Sequence, residues 1–313
     1  MGLDSGGGAT RMPLGRRSIG FLGAALASSV AAAERVVVAS KIDTEGALLG
    51  NMILLALEAA GVPTANRLQL GPTRIVRAAL LAGEVDIYPE YTGNGAFFFG
   101  MEDDPAWRSA ASAYETAKRL DAARNGLAWL DRAPANNTWA IAVRGDVARR
   151  EGLRTMEDFA AAAPRGVLKL AASAEFVESP AALPAFERAY GFTMPRRRVV
   201  VLPGGETAAT LRAAAQDVSG VNASMVYGTD GALAVLDLVM MEDTRGAQAV
   251  YEPAPVVRAA ALERHPGIAP VLSRVFSGLS MERLRALNAE VAVEGHPPAA
   301  VARRHLAREG VLS

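Results

Sequence analysis

The sequence predicts an α/β protein of two lobes joined by two chain crossings, with a ligand cleft between the lobes. Three observations carry this. From Val36 onward, short apolar runs alternate with segments of 3.6-residue apolar periodicity, the pattern of sheets flanked by helices. The turn-rich stretch Ala133-Pro134-Ala135-Asn136-Asn137 breaks the alternation once, and Tyr251-Glu252-Pro253-Ala254-Pro255 breaks it again before a helical C-terminus. With 313 residues, 50% of them hydrophobic, the chain is long enough to bury two cores of ordinary size.

Residues 36–39 read as a strand of a parallel sheet. Asp43 or Thr44 then caps a helix whose Leu48, Leu49, Met52, Ile53 and Ala56 share one face, and Gly61 and Pro63 end it. Residues 68–70 suit the next strand. Thr73 opens a second helix through Ile75, Val76, Ala79 and Leu80, stopped by Gly83, and 85–88 return as a strand. A helix over 106–124 leads to a strand at 127–130 and the first crossing. Beyond it, strands at 138–143, 167–172, 199–202 and 223–227 alternate with helices. One helix is capped over 155–163, one opens at Ser179 as N-cap with Pro180 in its first turn and closes at Tyr190-Gly191, and one runs over 207–218. The resulting boundaries are a leader over 1–33, a first lobe of 34–137 with 251–313, and a second lobe of 138–250. The last helices pack on the first lobe.

Arg16 and Arg17 precede an apolar run from Ile19 to Val30, and Ala31-Ala32-Ala33 offers small residues to a signal peptidase ahead of Glu34. The segment therefore reads as an export signal, cleaved near Ala33, and the mature protein as periplasmic. The run is shorter than the roughly 20 apolar residues of a spanning helix. The Arg-Arg pair fits twin-arginine export, and the general secretory route equally.

The chain is formally neutral, and removal of 1–33 takes away Arg11, Arg16, Arg17 and Asp4 to leave −2. No basic stripe has the density that phosphate neutralisation needs, which excludes nucleic acid as a partner. The absence of cysteine excludes disulfides, thiolate metal sites and a cysteine nucleophile. His265, His296 and His305 are too dispersed for a metal cluster or a triad base and read as surface residues. No nucleophile elbow appears, and Gly204-Gly205 lacks the Lys and Ser/Thr of a phosphate loop. Asp86 and Glu90, close in sequence around a strand end, read as structural. The sequence thus points to no metal, no cofactor and no catalytic residue.

Asp86-Ile87-Tyr88-Pro89-Glu90-Tyr91-Thr92-Gly93-Asn94-Gly95 ends a strand and turns, so Tyr91 emerges at the edge of the sheet where ligands of open α/β folds sit. Trp139 begins a crossing strand, Tyr227 ends a strand before Gly228-Thr229-Asp230-Gly231, and Tyr251 lies on the return crossing. Each alone reads equally as a core aromatic. Together they come one from each edge or crossing that the two-lobed arrangement aims at the cleft. Four such faces suit a cation with no N–H to donate, because the ring quadrupole attracts charge without a hydrogen bond, at about 0.5–2 kcal/mol per contact. A carboxylate in their place would favour ammonium and metal ions and lose selectivity.

Several segments, in order and at matching separations, carry a resemblance: Ser40-Lys41-Ile42-Asp43-Thr44-Glu45-Gly46, 86–95, 134–143, Ala171-Ala172-Ser173-Ala174-Glu175-Phe176, Leu183-Pro184-Ala185-Phe186-Glu187 and 227–231. Through them, essentially the whole mature chain resembles the glycine betaine/choline-binding proteins of osmoprotectant ABC importers. The resemblance implies the type II periplasmic-binding-protein fold, a quaternary-ammonium ligand held in an aromatic box, ABC permease subunits in the inner membrane as partners, and a monomer. It implies box roles for Tyr91, Tyr227 and Tyr251, with Trp139 standing where relatives commonly have tyrosine. It also implies that Lys41 meets the ligand carboxylate and that Asn94 takes a pocket position where relatives use threonine or aspartate.

One departure bears on the ligand. Relatives that clamp a betaine carboxylate carry an arginine after the segment matching Glu175-Phe176, whereas this chain reads Val177-Glu178-Ser179-Pro180. Loss of that bidentate contact lowers carboxylate affinity. Glu178 adds repulsion, and Lys41, Asn94 and backbone N–H groups at helix starts near Thr44 and Ser179 offset part of it. Choline or another cation is therefore the alternative to glycine betaine.

Overall fold

The computed structural model describes residues 34–202 and 207–312; residues 1–33, read above as a leader, and Gly204-Gly205 lie outside the described residues. In chain order the strands are β1 (Val36–Lys41), β2 (Thr64–Gly71), β3 (Ile87–Tyr91), β4 (Leu127–Trp129), β5 (Trp139–Arg144), β6 (Leu170–Ser173), β7 (Val199–Leu202), β8 (Ala223–Tyr227), β9 (Leu238–Met240) and β10 (Pro253–Arg258). They form two sheets of five, in the orders β2-β1-β3-β10-β4 and β7-β6-β8-β5-β9.

The two orders are the same plan. In each sheet a first strand lies between two parallel neighbours, and the strand that enters from a crossing pairs antiparallel beside the third. Both sheets are therefore mixed, not parallel as the alternation of strands and helices suggested. The reason is the chain's route: β5 and β10 each arrive from the other sheet and run against the strand they join. Pro89 and Pro255 face each other across β3 and β10. Neither has an N–H to give, so a non-hydrogen-bonded pair is the one place both fit inside a sheet.

Period-two alternation gives each sheet a core on both faces. In the first, Val36, Val38, Ile87 and Val257 join the cluster formed with Leu48, Met52, Leu272, Phe276 and Leu306, while Ala39, Tyr88 and Val256 join Leu80, Trp107 and Trp129. In the second, Ile141, Leu170 and Met225 pack with Phe159, Phe176 and Phe186, while Ala142, Ala171 and Val226 pack with Leu211. The C-terminal helices Ile268–Ser277 and Pro298–Arg308 lie against the helix Thr44–Ala59, which is buried nearly all round. Hence this helix is apolar on every side.

Several boundaries moved. Asp43 is the N-cap of Thr44–Ala59, its carboxylate accepting from the Gly46 N–H at 2.7 Å. The expected helix over 106–124 is split: Pro105–Arg108 forms a single 3-10 turn, Ser109 is extended, and the helix proper is Ala110–Asn125. Tertiary packing causes the break, since Trp107 is fully buried and donates its indole N–H to the Met101 carbonyl. Ser179 is not an N-cap. Ser173 caps an earlier short helix, Ala174–Glu178, and the next begins at Leu183 with Pro184 in its first turn. His305, expected at the surface, is buried among the core residues of the C-terminal helices.

Leu49 is fully buried at the centre of the first core. Leu49→Ala is expected to lower stability by about 2–5 kcal/mol in a denaturant titration, the range for a buried leucine truncated in a close-packed interior.

Candidate ligand-binding cleft

Strand register builds the site. In the second sheet Trp139, the first residue of β5, faces Tyr227, the last residue of β8. Directly opposed residues put their side chains on one face, and the two rings lie 6.4 Å apart at 21°. Phe176 meets Trp139 edge-on at 6.2 Å and fixes its tilt. In the first sheet Tyr91, the last residue of β3, faces Pro253, the first of β10, and Tyr251 stands just before it on the crossing.

The crossings are tied to one another: Tyr251 donates its N–H to Asn136 Oδ1 at 2.8 Å, and Asn137 donates its N–H to the Tyr251 carbonyl at 2.9 Å. Two glycines leave the room required. A Cβ on Gly93 would stand 2.8 Å from the Tyr251 ring, and one on Gly228 would stand 2.1 Å from the Asn136 carbonyl oxygen.

These elements enclose a cavity of about 720 Å3, and Lys41, Tyr91, Asn94, Trp139, Tyr227 and Tyr251 all line it. Burial raises the pKa of all three tyrosines, Tyr251 to about 12. The phenols stay neutral near pH 7, and the walls they offer a cation are uncharged π faces.

Two of the six residues have a prior engagement. Lys41 is buried, 6% exposed, with Nζ 2.6 Å from Glu90 Oε1 and 4.4 Å from the Tyr91 ring centroid. Asn94 Nδ2 donates to the same oxygen at 2.7 Å, as does the Tyr91 N–H, and the Tyr88 hydroxyl donates to Glu90 Oε2 at 2.5 Å. Lys41 and Asn94 thus complete the shell of a fully buried carboxylate and are not free cation and free amide awaiting a ligand carboxylate. Through this pair, Lys41 also covers Tyr91 from within. The acidic side chain after β6 that lines the cavity is Glu175, while Glu178, expected to repel a carboxylate, is exposed and not on the wall.

Glu45 was not singled out in the sequence. It lines the cavity at 6% exposure, and its carboxylate accepts from the Tyr91 hydroxyl at 2.7 Å and from Asn288 Nδ2 at 2.6 Å. Asn137 Nδ2 approaches it at 3.3 Å. Burial pushes this carboxyl from the ordinary 4.5 up to about 7, with the Thr229, Tyr91 and Asn288 donors pulling the other way. The signal was present in the helix phase: residues 45, 48, 49 and 52 fall on one face, and three of them are core.

Two sheets of like plan, tied at paired crossings around a cavity with aromatic walls, define a solute-binding protein of the periplasmic-binding-protein fold. Residues 34–308 match the substrate binding domain of ABC-type glycine betaine transport systems, and the chain belongs to that family. It is similar to the glycine betaine-binding protein YehZ of Escherichia coli (strain K12), 53% identical over 288 residues, which are 92% of this chain and 94% of that one. It is also similar to a glycine-betaine-binding protein of Pseudomonas aeruginosa, 30% identical over 293 residues, 91% of each chain. The solved structure of apo YehZ from Escherichia coli aligns with 89% of this chain and 100% of its own at a TM-score of 0.80. The chain is therefore a substrate-binding protein and not an enzyme, and membership implies a small ligand and permease partners.

Two stability measurements check this geometry. Lys41→Met leaves Glu90 buried without its cation and is expected to destabilise by about 3–5 kcal/mol in denaturant, with Lys41→Met/Glu90→Gln recovering most of the loss. For Glu45 the sign runs the other way from a salt-bridged acid. Its folded pKa lies above the ordinary value, so its stabilising contribution is present below pH 4.5 and is lost as pH rises through about 7. Glu45→Gln is expected to gain stability relative to wild type between pH 5 and 8, on the order of 3 kcal/mol; parallel profiles would contradict the burial of an acid here.

Proposed function

We propose that this protein is exported to the periplasm, closes two lobes around a quaternary-ammonium osmolyte, and delivers it as a monomer to an inner-membrane ABC permease. The lobes are 34–137 with 251–313, and 138–250, with 1–33 removed as the signal. The ligand is glycine betaine or a close relative. One observation carries the reading: Tyr91, Tyr251, Trp139 and Tyr227 come from both sheets to one cavity. Neutral rings there attract a trimethylammonium that has no hydrogen to donate. The names of the relatives in Escherichia coli and Pseudomonas aeruginosa support the same ligand class.

A second reading, choline or another cation, is favoured by two amides on the cavity wall. Asn137 Oδ1 and Asn288 Oδ1 are buried without a hydrogen-bond partner. Both amides turn their Nδ2 to Glu45, which leaves acceptors for a ligand hydroxyl where a betaine carboxylate would need donors. The engagement of Lys41 and Asn94 with Glu90 points the same way.

Calorimetry of residues 34–313 with glycine betaine, choline, carnitine and proline betaine decides between them. Tighter binding of glycine betaine than of choline supports the first reading, choline binding at least as tightly as glycine betaine supports the second, and no heat with any of the four at millimolar ligand refutes both. Tyr227→Ala, Tyr251→Ala and Gly93→Ala, the last by displacing the Tyr251 ring, are each expected to weaken all binding ligands together, by about 2- to 30-fold for a contact of 0.5–2 kcal/mol. A bound ligand that leaves Trp139 fluorescence unchanged would place the indole outside the box.

A further inference from the structure

The buried carboxylates among the described residues are Glu45, Asp86, Glu90, Asp121 and Glu252. Four of them hold a cation of the protein: Asp86 has Arg258 and Arg264, Glu90 has Lys41, Asp121 has Arg77, and Glu252 has Arg132. Glu45 has none. Its hydrogen-bond partners are the neutral donors Thr229, Tyr91, Asn288 and Asn137, and it alone of the five lines the cavity. A buried anion without a counter-charge is expensive, and the place left for one is the aromatic box beside it.

We propose that the ligand's quaternary ammonium is the missing counter-charge of Glu45, so that entry of the cation into the box drives ionisation of this carboxyl and release of one proton per ligand bound. The inference rests on the quaternary-ammonium reading above and adds to it a charge-balancing residue and a coupling. In the step, the proton leaves the Glu45 carboxyl for solvent, no bond of the ligand changes, and the positive charge lost by the site is the charge the ligand brings.

The groups around Glu45 make it the titrating one. On its own element, the Asp43 carboxylate at the helix cap opposes its ionisation. From β1 and β3, Lys41 and Glu90 face it as a neutralised pair behind the Tyr91 ring. From the second sheet's side come Tyr227, a phenol held neutral by burial, the acids Glu175 and Asp230 and, from the helix Thr207–Ala215, the exposed guanidinium of Arg212, which lines the cavity without an ion pair to Glu45. From the helix Met281–Ala292, Asn288 reaches Glu45 while Arg285 donates to the Gly228 carbonyl. Burial holds the Glu45 carboxyl at about 7, so a proton is present to be displaced close to neutral pH. Choline and glycine betaine do not titrate in this range.

The test is calorimetry of wild type with choline and with glycine betaine at pH 6 in two buffers of different ionisation enthalpy, then the affinity from pH 5.5 to 8.5. The expected result is release of about one proton per ligand at pH 6 and binding about tenfold tighter at pH 8 than at pH 6, flat above pH 8. Glu45→Gln is expected to abolish both the proton release and the slope. Tyr91→Phe, which removes a donor to the ionised form, is expected to move the midpoint to higher pH. A purely structural role for Glu45 would weaken binding in the variant at every pH and leave the slope intact. Binding by wild type with no proton released and a flat profile overturns this proposal while leaving the box in place; no binding of either ligand at any pH overturns both.

Discussion

The structure depends on one constraint: each crossing strand joins a sheet antiparallel, beside the strand that ends at the cleft. An antiparallel partner begins where its neighbour stops, so the first residue of β5 must face the last of β8, and the first of β10 the last of β3. That rule, applied in both sheets, turns four aromatics scattered over the sequence into one wall. It also sets where glycine is required, since Gly93 and Gly228 sit where a crossing passes close over the turn that follows each strand.

Charge in the cleft follows from what each buried acid has beside it. Glu90 is saturated by Lys41, Asn94, Tyr88 and the Tyr91 backbone, so the base of the Tyr91 ring is rigid and electrically balanced. Glu45 is held by neutral donors from separated parts of the chain, Tyr91, Asn137, Thr229 and Asn288, and it meets the hydroxyl of the same ring. Tyr91 therefore stands between a finished ion pair and an unfinished one. The cavity favours a cation more than the sequence suggested, because the two groups read as carriers of the ligand's carboxylate are engaged elsewhere.

Much of the fold was legible because local rules agreed with tertiary ones. The Asp43 cap, the glycine after Tyr190 and the short apolar run in 139–143 name their elements without help. The order of strands was not legible, because insertion of β5 and β10 depends on where a crossing chain finds an open edge. The break at Ser109 was hidden for a related reason: burial of Trp107 outweighs the helical tendency of the alanines around it. In the site, aromatics at strand ends were visible as a set. The pairing of Lys41 with Glu90 was not, since the partners lie 49 residues apart and only the parallel contact of β1 with β3 brings them together. Glu45 was readable from helix phase alone, as an acid on a face otherwise made of leucine and methionine.

The central claim is that neutral aromatic rings of both sheets enclose the ligand's ammonium. It is tested most directly by proton NMR of a bound quaternary-ammonium ligand, following the N-methyl resonance. Ring currents from several faces shift that signal upfield, and saturation of the protein's aromatic protons transfers first to the methyls. The account predicts both, with the upfield shift reduced in Tyr227→Ala and in Tyr251→Ala. An unshifted N-methyl signal, with saturation reaching the other end of the ligand first, would contradict it.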